Sequence, residues 1–219
     1  MPVLTAKTLI VLTLTLGVCA PVPGAAMMSS AGDGTVAWSS VMESSAVAAA
    51  PLATRSAARR YWVRDRHYYF SDWYAGRHRK MIAFGCTAAP YYDPDPRCAH
   101  QRGFHHGLDV AMPCGTRLYA GFRTRVVAPA APGSLGPAYG RHAFRLRSAR
   151  FHVDFVIGHV RKVYVKPGHL VRRGQLMARA SDAAAPDGCH LHFEVRPSGG
   201  TYESAIGPRD YIRLRLTRH

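Results

Sequence analysis

The amino-acid sequence predicts an all-β fold with an irregular N-terminal segment, and three observations carry that prediction. Beyond Cys98 short apolar runs alternate with polar residues at a period of two, glycine and proline punctuate the runs, and helical periodicity is weak everywhere. Phe144 and Leu146 alternate with Arg145 and Arg147. Phe151, Val153, Phe155 and Ile157 alternate with His152, Asp154 and Gly158, and Lys166-Pro167-Gly168 reads as a turn. No internal repeat occurs at the period of a solenoid or propeller.

Four segments follow in chain order. Residues 1–26 read as a secretory signal peptide: a short start with one lysine, Lys7, an apolar stretch from Thr8 to Val18, then Pro23-Gly24-Ala25-Ala26 as a cleavage site. The apolar stretch is too short for a comfortable transmembrane helix, and no later segment reaches about 18 apolar residues, so no transmembrane anchor is expected. Cys19 suggests lipidation, but Gly17-Val18 before it fits such a site poorly. Residues 27–57, rich in alanine and serine, lack periodicity and read as a linker or disordered arm. Residues 58–99 form a basic, aromatic accessory segment containing Tyr61, Trp62, Tyr68, Tyr69, Phe70, Trp73 and Tyr74, expected to pack on the domain. Residues 100–213 are the expected β domain, and a chain of 219 residues with 47% apolar composition is long enough to give it a core.

With the signal removed after Ala26, Cys86, Cys98, Cys114 and Cys189 remain, in a compartment that permits disulfides. Four cysteines allow three pairings. Cys86 with Cys98 is favoured as a local clip, and Cys114 with Cys189 as a brace between two histidine-bearing stretches; Cys189 as a thiolate metal ligand is the competing reading. The formal net charge is +16, and 25 of the 29 basic residues are arginine. Such a chain is expected to bind polyanions. No aromatic and arginine pattern forms a nucleic-acid-binding motif, so no specific nucleic acid is expected, and an exported chain meets anionic cell-wall polymers more readily. A merely solvated basic surface is the plain alternative. Nothing in the pattern specifies an oligomeric state.

Phe104-His105-His106-Gly107-Leu108-Asp109 and, about eighty residues later, His190-Leu191-His192-Phe193-Glu194 carry the candidate chemistry. Neutral imidazole and carboxylate are ordinary zinc ligands, and three of them with an open fourth position distinguish a catalytic from a closed structural zinc. On a strand, His190 and His192 face one side while Leu191 and Phe193 face the core. Those two imidazoles stand roughly 6.5 to 7 Å apart, so one can ligate while the other reaches a bound water. His105 and Asp109 would lie about 13 Å apart on a straight strand, so the chain between them must bend or be helical, and Gly107 favours a bend.

The run from His105 to Thr116, then Gly158-His159-Val160, Val171-Arg172-Arg173-Gly174-Gln175, and the run from Gly188 to Arg196 resemble the lysostaphin and LytM type of peptidoglycan-cleaving zinc endopeptidases. The resemblance covers roughly residues 100–213, with the motifs in the family's order. It implies an antiparallel β-sheet of the duplicated hybrid motif type, a groove floored by the metal, and hydrolysis of peptide bonds in peptidoglycan stem peptides or cross-bridges. Carried over position by position, it implies His105, Asp109 and His192 as zinc ligands, His190 as the histidine that activates water, and His159 as the one that stabilises the oxyanion. It selects His105 over His106, which then lines the groove. Glu194 shares the face of His190 and His192 and reads as a supporting residue, with use as a base the alternative. His142, His152 and His169 read as surface or satisfied structural histidines.

The chain departs from the family pattern at Ala178 to Pro186, where the family usually has a glycine-rich run, and at Cys114 and Cys189. The resemblance therefore leaves loop shape and substrate preference open. Two other functions compete: a catalytically idle envelope-binding or amidase-activating module, and a basic secreted polyanion-binding protein whose histidines take metal adventitiously. A groove blocked by residues 59–100 would favour the first.

Overall fold

The computed structural model describes residues 61–217, so the expected signal peptide and the linker fall outside the described residues. Strands follow in the order β1 Tyr69–Ser71, β2 Tyr74–Lys80, β3 Gly85–Thr87, β4 Gly103–His105, β5 Gly107–Ala111, β6 Arg117–Tyr119, β7 Thr124–Val126, β8 Phe144–Ser148, β9 Val153–Gly158, β10 Val160–Arg161, β11 Leu170–Val171, β12 Leu176–Ala180, β13 His190–Pro197 and β14 Arg215–Leu216. Twelve belong to one curled sheet in the order β10-β12-β6-β2-β5-β13-β9-β8-β7-β11, with β1 pairing β2 and β14 off that path. β3 and β4 form a separate ribbon. The pairings are antiparallel, and helix among the described residues is confined to single turns such as Arg209–Ile212. The fold is all-β, as the alternation predicts.

One face of the central strands is apolar. Leu108 and Val110 of β5, Leu191, Phe193 and Val195 of β13, and Val153, Phe155 and Ile157 of β9 join one buried cluster around Trp73. The Trp73 ring meets Phe193 and Phe155 edge-on at centroid distances of 4.7 and 5.1 Å, and its Nε1–H donates to the Tyr211 carbonyl at 2.9 Å. Aromatic pairs in this geometry add about 0.5 to 1.5 kcal/mol beyond their burial.

Trp73 and β2 lie in the segment that the sequence sets apart as accessory, yet β2 sits inside the sheet between β5 and β6. The sheet therefore begins well before residue 100. Its first strand is hidden in the sequence because aromatic residues occupy both faces: Tyr69 is buried, while Tyr68 and Phe70 are 46% and 44% exposed.

The opposite face of β8, β9 and β13 is also covered. β9 is buried at every position, although its alternation reads as half-exposed. The cover is the connection between β7 and β8. Arg145 donates to the carbonyls of Pro132 at 2.6 Å and Ala131 at 2.9 Å, and Arg196 donates to that of Gly133 at 3.1 Å. Gly133 fits only without a side chain, since a Cβ there would lie 2.2 Å from the Gly200 carbonyl oxygen at a φ of 79°. Asp154 beneath this cover accepts from Arg147 at 2.8 and 2.9 Å.

The two disulfides join Cys86 with Cys98 and Cys114 with Cys189, the favoured pairings. The second ties the turn after β5 to the residue before β13 and closes 75 residues of chain.

If residues 69–80 are integral to the core, Trp73→Ala should lower stability by about 3 to 5 kcal/mol, read by chemical denaturation. A chain begun at residue 100 should then show no cooperative unfolding transition.

Candidate metal centre

The site grows from one register. β13 pairs β5 with His192 opposite Asp109 and Glu194 opposite Gly107, and it pairs β9 with His192 opposite Gly158. His192 thus stands between two glycines. A Cβ at Gly107 would come 2.7 Å from His192 Cε1, and one at Gly158 would come 3.1 Å from His192 Cβ. Gly107 is needed for this space, and its φ is not in the left-handed region. The expected bend falls at His106, where the chain leaves β4, paired with β3, and enters β5, paired with β13 and β2.

That bend brings His105 Nε2 to 3.3 Å from Asp109 Oδ1 and 3.2 Å from His192 Nδ1, while His192 Nδ1 stands 2.9 Å from Asp109 Oδ1. Ligand atoms around a tetrahedral zinc, at bond lengths of roughly 2.0 to 2.2 Å, lie about 3.3 Å apart. The triangle therefore matches one small cation in size. Its chemistry matches too. The His105 Nδ1–H donates to the Ala83 carbonyl at 2.9 Å, and the His192 Nε2–H donates to Glu194 Oε2 at 3.2 Å, so the opposite nitrogens present lone pairs to the carboxylate. Three electron-rich atoms this close need a positive charge among them.

All three side chains are buried, His105 completely. Burial alone would raise Asp109, yet the imidazoles of His105 and His190 hold its carboxyl well below the usual range. Burial opposes charge on His192, but hydrogen bonds to Asp109 and Glu194 lift it to about 9, so a proton on Nδ1 competes with a cation for the same lone pair.

Two further imidazoles stand beside the triangle. His190 lies on the same face of β13, with Nε2 3.7 Å from Asp109 Oδ2 and its Nδ1–H donating to the Gly188 carbonyl at 2.8 Å. His159 follows β9 in a left-handed turn, φ 52°, pinned by its N–H to the Tyr139 carbonyl and by the Ser181 N–H to its own carbonyl, both 2.8 Å. Its Nδ1–H donates to the Ala183 carbonyl at 2.8 Å, and its ring centroid is 4.4 Å from that of His190. Burial first, then the neighbouring imidazoles of His190 and His192, push His159 down to about 4. In both residues the tautomer fixed by the backbone leaves Nε2 as the reactive atom.

His105, His159 and His192 line a groove of about 540 Å³ walled by Tyr91, Tyr92 and Asp93 on one side and by Ala138 and Tyr139 on the other. His106 lines it as well, as expected, and meets Tyr202 edge-on at 4.9 Å. Thus the structure brings the five predicted residues together, whereas His142, His152 and His169 are exposed. Cys189, the competing ligand, is bonded to Cys114. Sequence reasoning left out Tyr139 and Arg196. Tyr139 Oη donates to Glu194 Oε2 at 2.9 Å and accepts from Arg196 Nη2 at 2.8 Å, while Arg196 Nε donates to Glu194 Oε1. Arg196, continuing the parity of His190, His192 and Glu194, was the available signal.

Residues 103–204 match the profile of peptidase family M23. Over 91 residues the chain is 32% identical to the peptidoglycan DD-endopeptidase ShyB of Vibrio cholerae serotype O1, a match spanning 42% of this chain and 20% of that relative. Among solved structures, the lysostaphin catalytic domain from Staphylococcus simulans aligns at 21% identity and a TM-score of 0.49, covering 62% of this chain and 92% of that one. LytU aligns at 24% identity and 0.48, covering 61% and 83%.

Glu194→Gln removes the charge behind His192 while keeping a hydrogen-bonding side chain. Zinc affinity, measured by competition with a chromogenic chelator, should fall about 10- to 100-fold.

Proposed function

Because this chain belongs, through residues 103–204, to peptidase family M23 in its LytM and lysostaphin type, we propose that it is a secreted zinc metalloendopeptidase hydrolysing peptide bonds in peptidoglycan stem peptides or cross-bridges. The convergence of His105 Nε2, Asp109 Oδ1 and His192 Nδ1 within 3.3 Å, beside two imidazoles with matching tautomers, carries this reading. In it, His105, Asp109 and His192 hold zinc, and His190 and His159 are the catalytic histidines. Zinc held there supplies a Lewis acid for the scissile carbonyl and brings the pKa of bound water to about 7.

The remaining work falls to the chain. His190 takes the proton of the attacking water at Nε2. The Gly188 carbonyl keeps its Nδ1–H in place, and Asp109 Oδ2 at 3.7 Å favours the imidazolium that results. His190 returns that proton to the leaving amine, and His159, neutral at pH 7 with its ring against that of His190, lines the side of the site where the oxyanion develops. Glu194 orients His192, and Tyr139 with Arg196 orients Glu194. The Tyr91 and Tyr92 wall orders the substrate backbone and excludes water from one side of the groove. Disulfides and the expected signal peptide support an extracellular or envelope location. Among the described residues no helix is long and apolar enough to cross a membrane.

Purified sacculi treated with the disulfide-intact protein should release new amino termini. His190→Ala should slow release by roughly 10²- to 10⁴-fold, and chelation should stop it. Asp109→Ala should lose the single bound zinc, read by metal analysis. Release that survives chelation would refute the metal role, whereas one bound zinc without any release would point to a binding module.

A further inference from the structure

At the β10 end of the sheet the register aligns three arginines. Arg161 of β10 pairs with Arg179 of β12, and Arg179 pairs with Arg117 of β6. Residues paired directly across antiparallel strands share a face, and their neighbours Val160, Ala178, Ala180 and Leu118 are buried, so the three guanidinium groups project from the opposite side. With strands about 4.8 Å apart, the row spans roughly 10 Å. Like charges directly opposite each other destabilise a sheet. Yet no carboxylate among the described residues pairs with any of the three. Arg179 donates only to Tyr164 Oη at 3.1 Å and the Gly115 carbonyl at 2.9 Å, both neutral, and Arg161 lies over the same turn, 3.3 Å from where a Gly115 Cβ would stand. Arg117 and Arg161 are exposed and make no side-chain hydrogen bond among the described residues.

The row starts beside the chemistry. β10 leaves His159 directly, with Arg161 two residues on, and Arg179 lies two residues before Ser181, which bridges His190. We propose that Arg117, Arg161 and Arg179 form an anchoring site for the free carboxylates of peptidoglycan stem peptides, holding strands of the polymer whose peptide bonds the neighbouring groove cleaves. This rests on the peptidoglycan reading above. Carboxylates at the ends of flexible peptide arms can be taken side by side by such a row, with the exposed forks of Arg117 and Arg161 donating bidentately and Arg179 donating from Nη2.

Binding is read by co-sedimentation with purified sacculi, using the His190→Ala background so that cleavage does not enter. Arg117→Gln with Arg161→Gln should weaken sedimentation about tenfold without lowering the melting temperature. Arg123→Gln with Arg141→Gln, the same charge change on exposed residues elsewhere, should leave it unchanged. Sacculi whose carboxylates are amidated with carbodiimide should lose binding to the parent protein, while sacculi stripped of phosphodiester polymers by hydrofluoric acid should keep it. Equal sedimentation of the Arg117/Arg161 variant and its parent would overturn the proposal. So would an equal loss in the charge-matched control, or loss on acid stripping instead of amidation. Sedimentation is independent of peptide-bond release, so failure of this site and failure of the endopeptidase reading give different results.

Discussion

The pairing of β13 with β5, with His192 opposite Asp109, is the constraint on which both core and site depend. Because side chains alternate between faces, this single register sends Leu108, Val110, Leu191 and Phe193 into the apolar cluster and Asp109, His190 and His192 to the opposite face, where His192 lines the groove. A slip of one residue would exchange the two sets, burying a carboxylate in the core and exposing leucine and phenylalanine. The core therefore enforces the triangle of His105, Asp109 and His192. Gly107 and Gly158, opposite Glu194 and His192, keep the space the imidazole occupies, so the register is useful only with glycine at both positions.

Beneath the triangle lies a buried polar layer that couples the site to the loop between β7 and β8. Glu194 is fully buried and shared among His192, Tyr139 and Arg196, and Arg196 is 1% exposed. Removing one member of a buried ion pair costs roughly 3 to 5 kcal/mol, since the partner is left charged and unsolvated. The loop carbonyls that receive Arg145 and Arg196 are thus part of the same network as the carboxylate behind His192. The Tyr139 wall of the groove and the orientation of His192 are fixed together.

The β class, the turn at Lys166 to Gly168 and the clustering of the five candidate residues were legible because each rests on a local pattern: alternation, turn chemistry, or short motifs of ligand-type residues. What the sequence concealed depends on which surfaces meet. Tyr68, Tyr69 and Phe70 present aromatic groups to both faces of β1, so period two leaves no trace there. Trp73 reads as one aromatic residue among seven in the arginine-rich stretch from Arg59 to Lys80, yet it sits at the centre of the core. Arg145, Asp154 and Arg196 follow the polar parity of their strands and read as solvent-facing. They are buried because a loop distant in sequence crosses that face, and alternation carries no information about such cover.

The same reasoning separates the arginines that the sequence presents as equivalent. Phe144-Arg145-Leu146-Arg147 and Arg117-Leu118-Tyr119 show one pattern, and both contribute equally to a net charge of +16. On β8 the outward guanidinium of Arg145 is enclosed by the Ala131 and Pro132 carbonyls and works as a clamp. On β6 and β10 the guanidinium groups of Arg117 and Arg161 stay exposed and aligned with a third, a repulsive arrangement that no carboxylate among the described residues offsets. Interior arginines answer to carbonyls and carboxylates of the protein itself. An aligned row without such partners among the described residues is open to an anion from outside the chain, which is the role proposed for stem-peptide carboxylates.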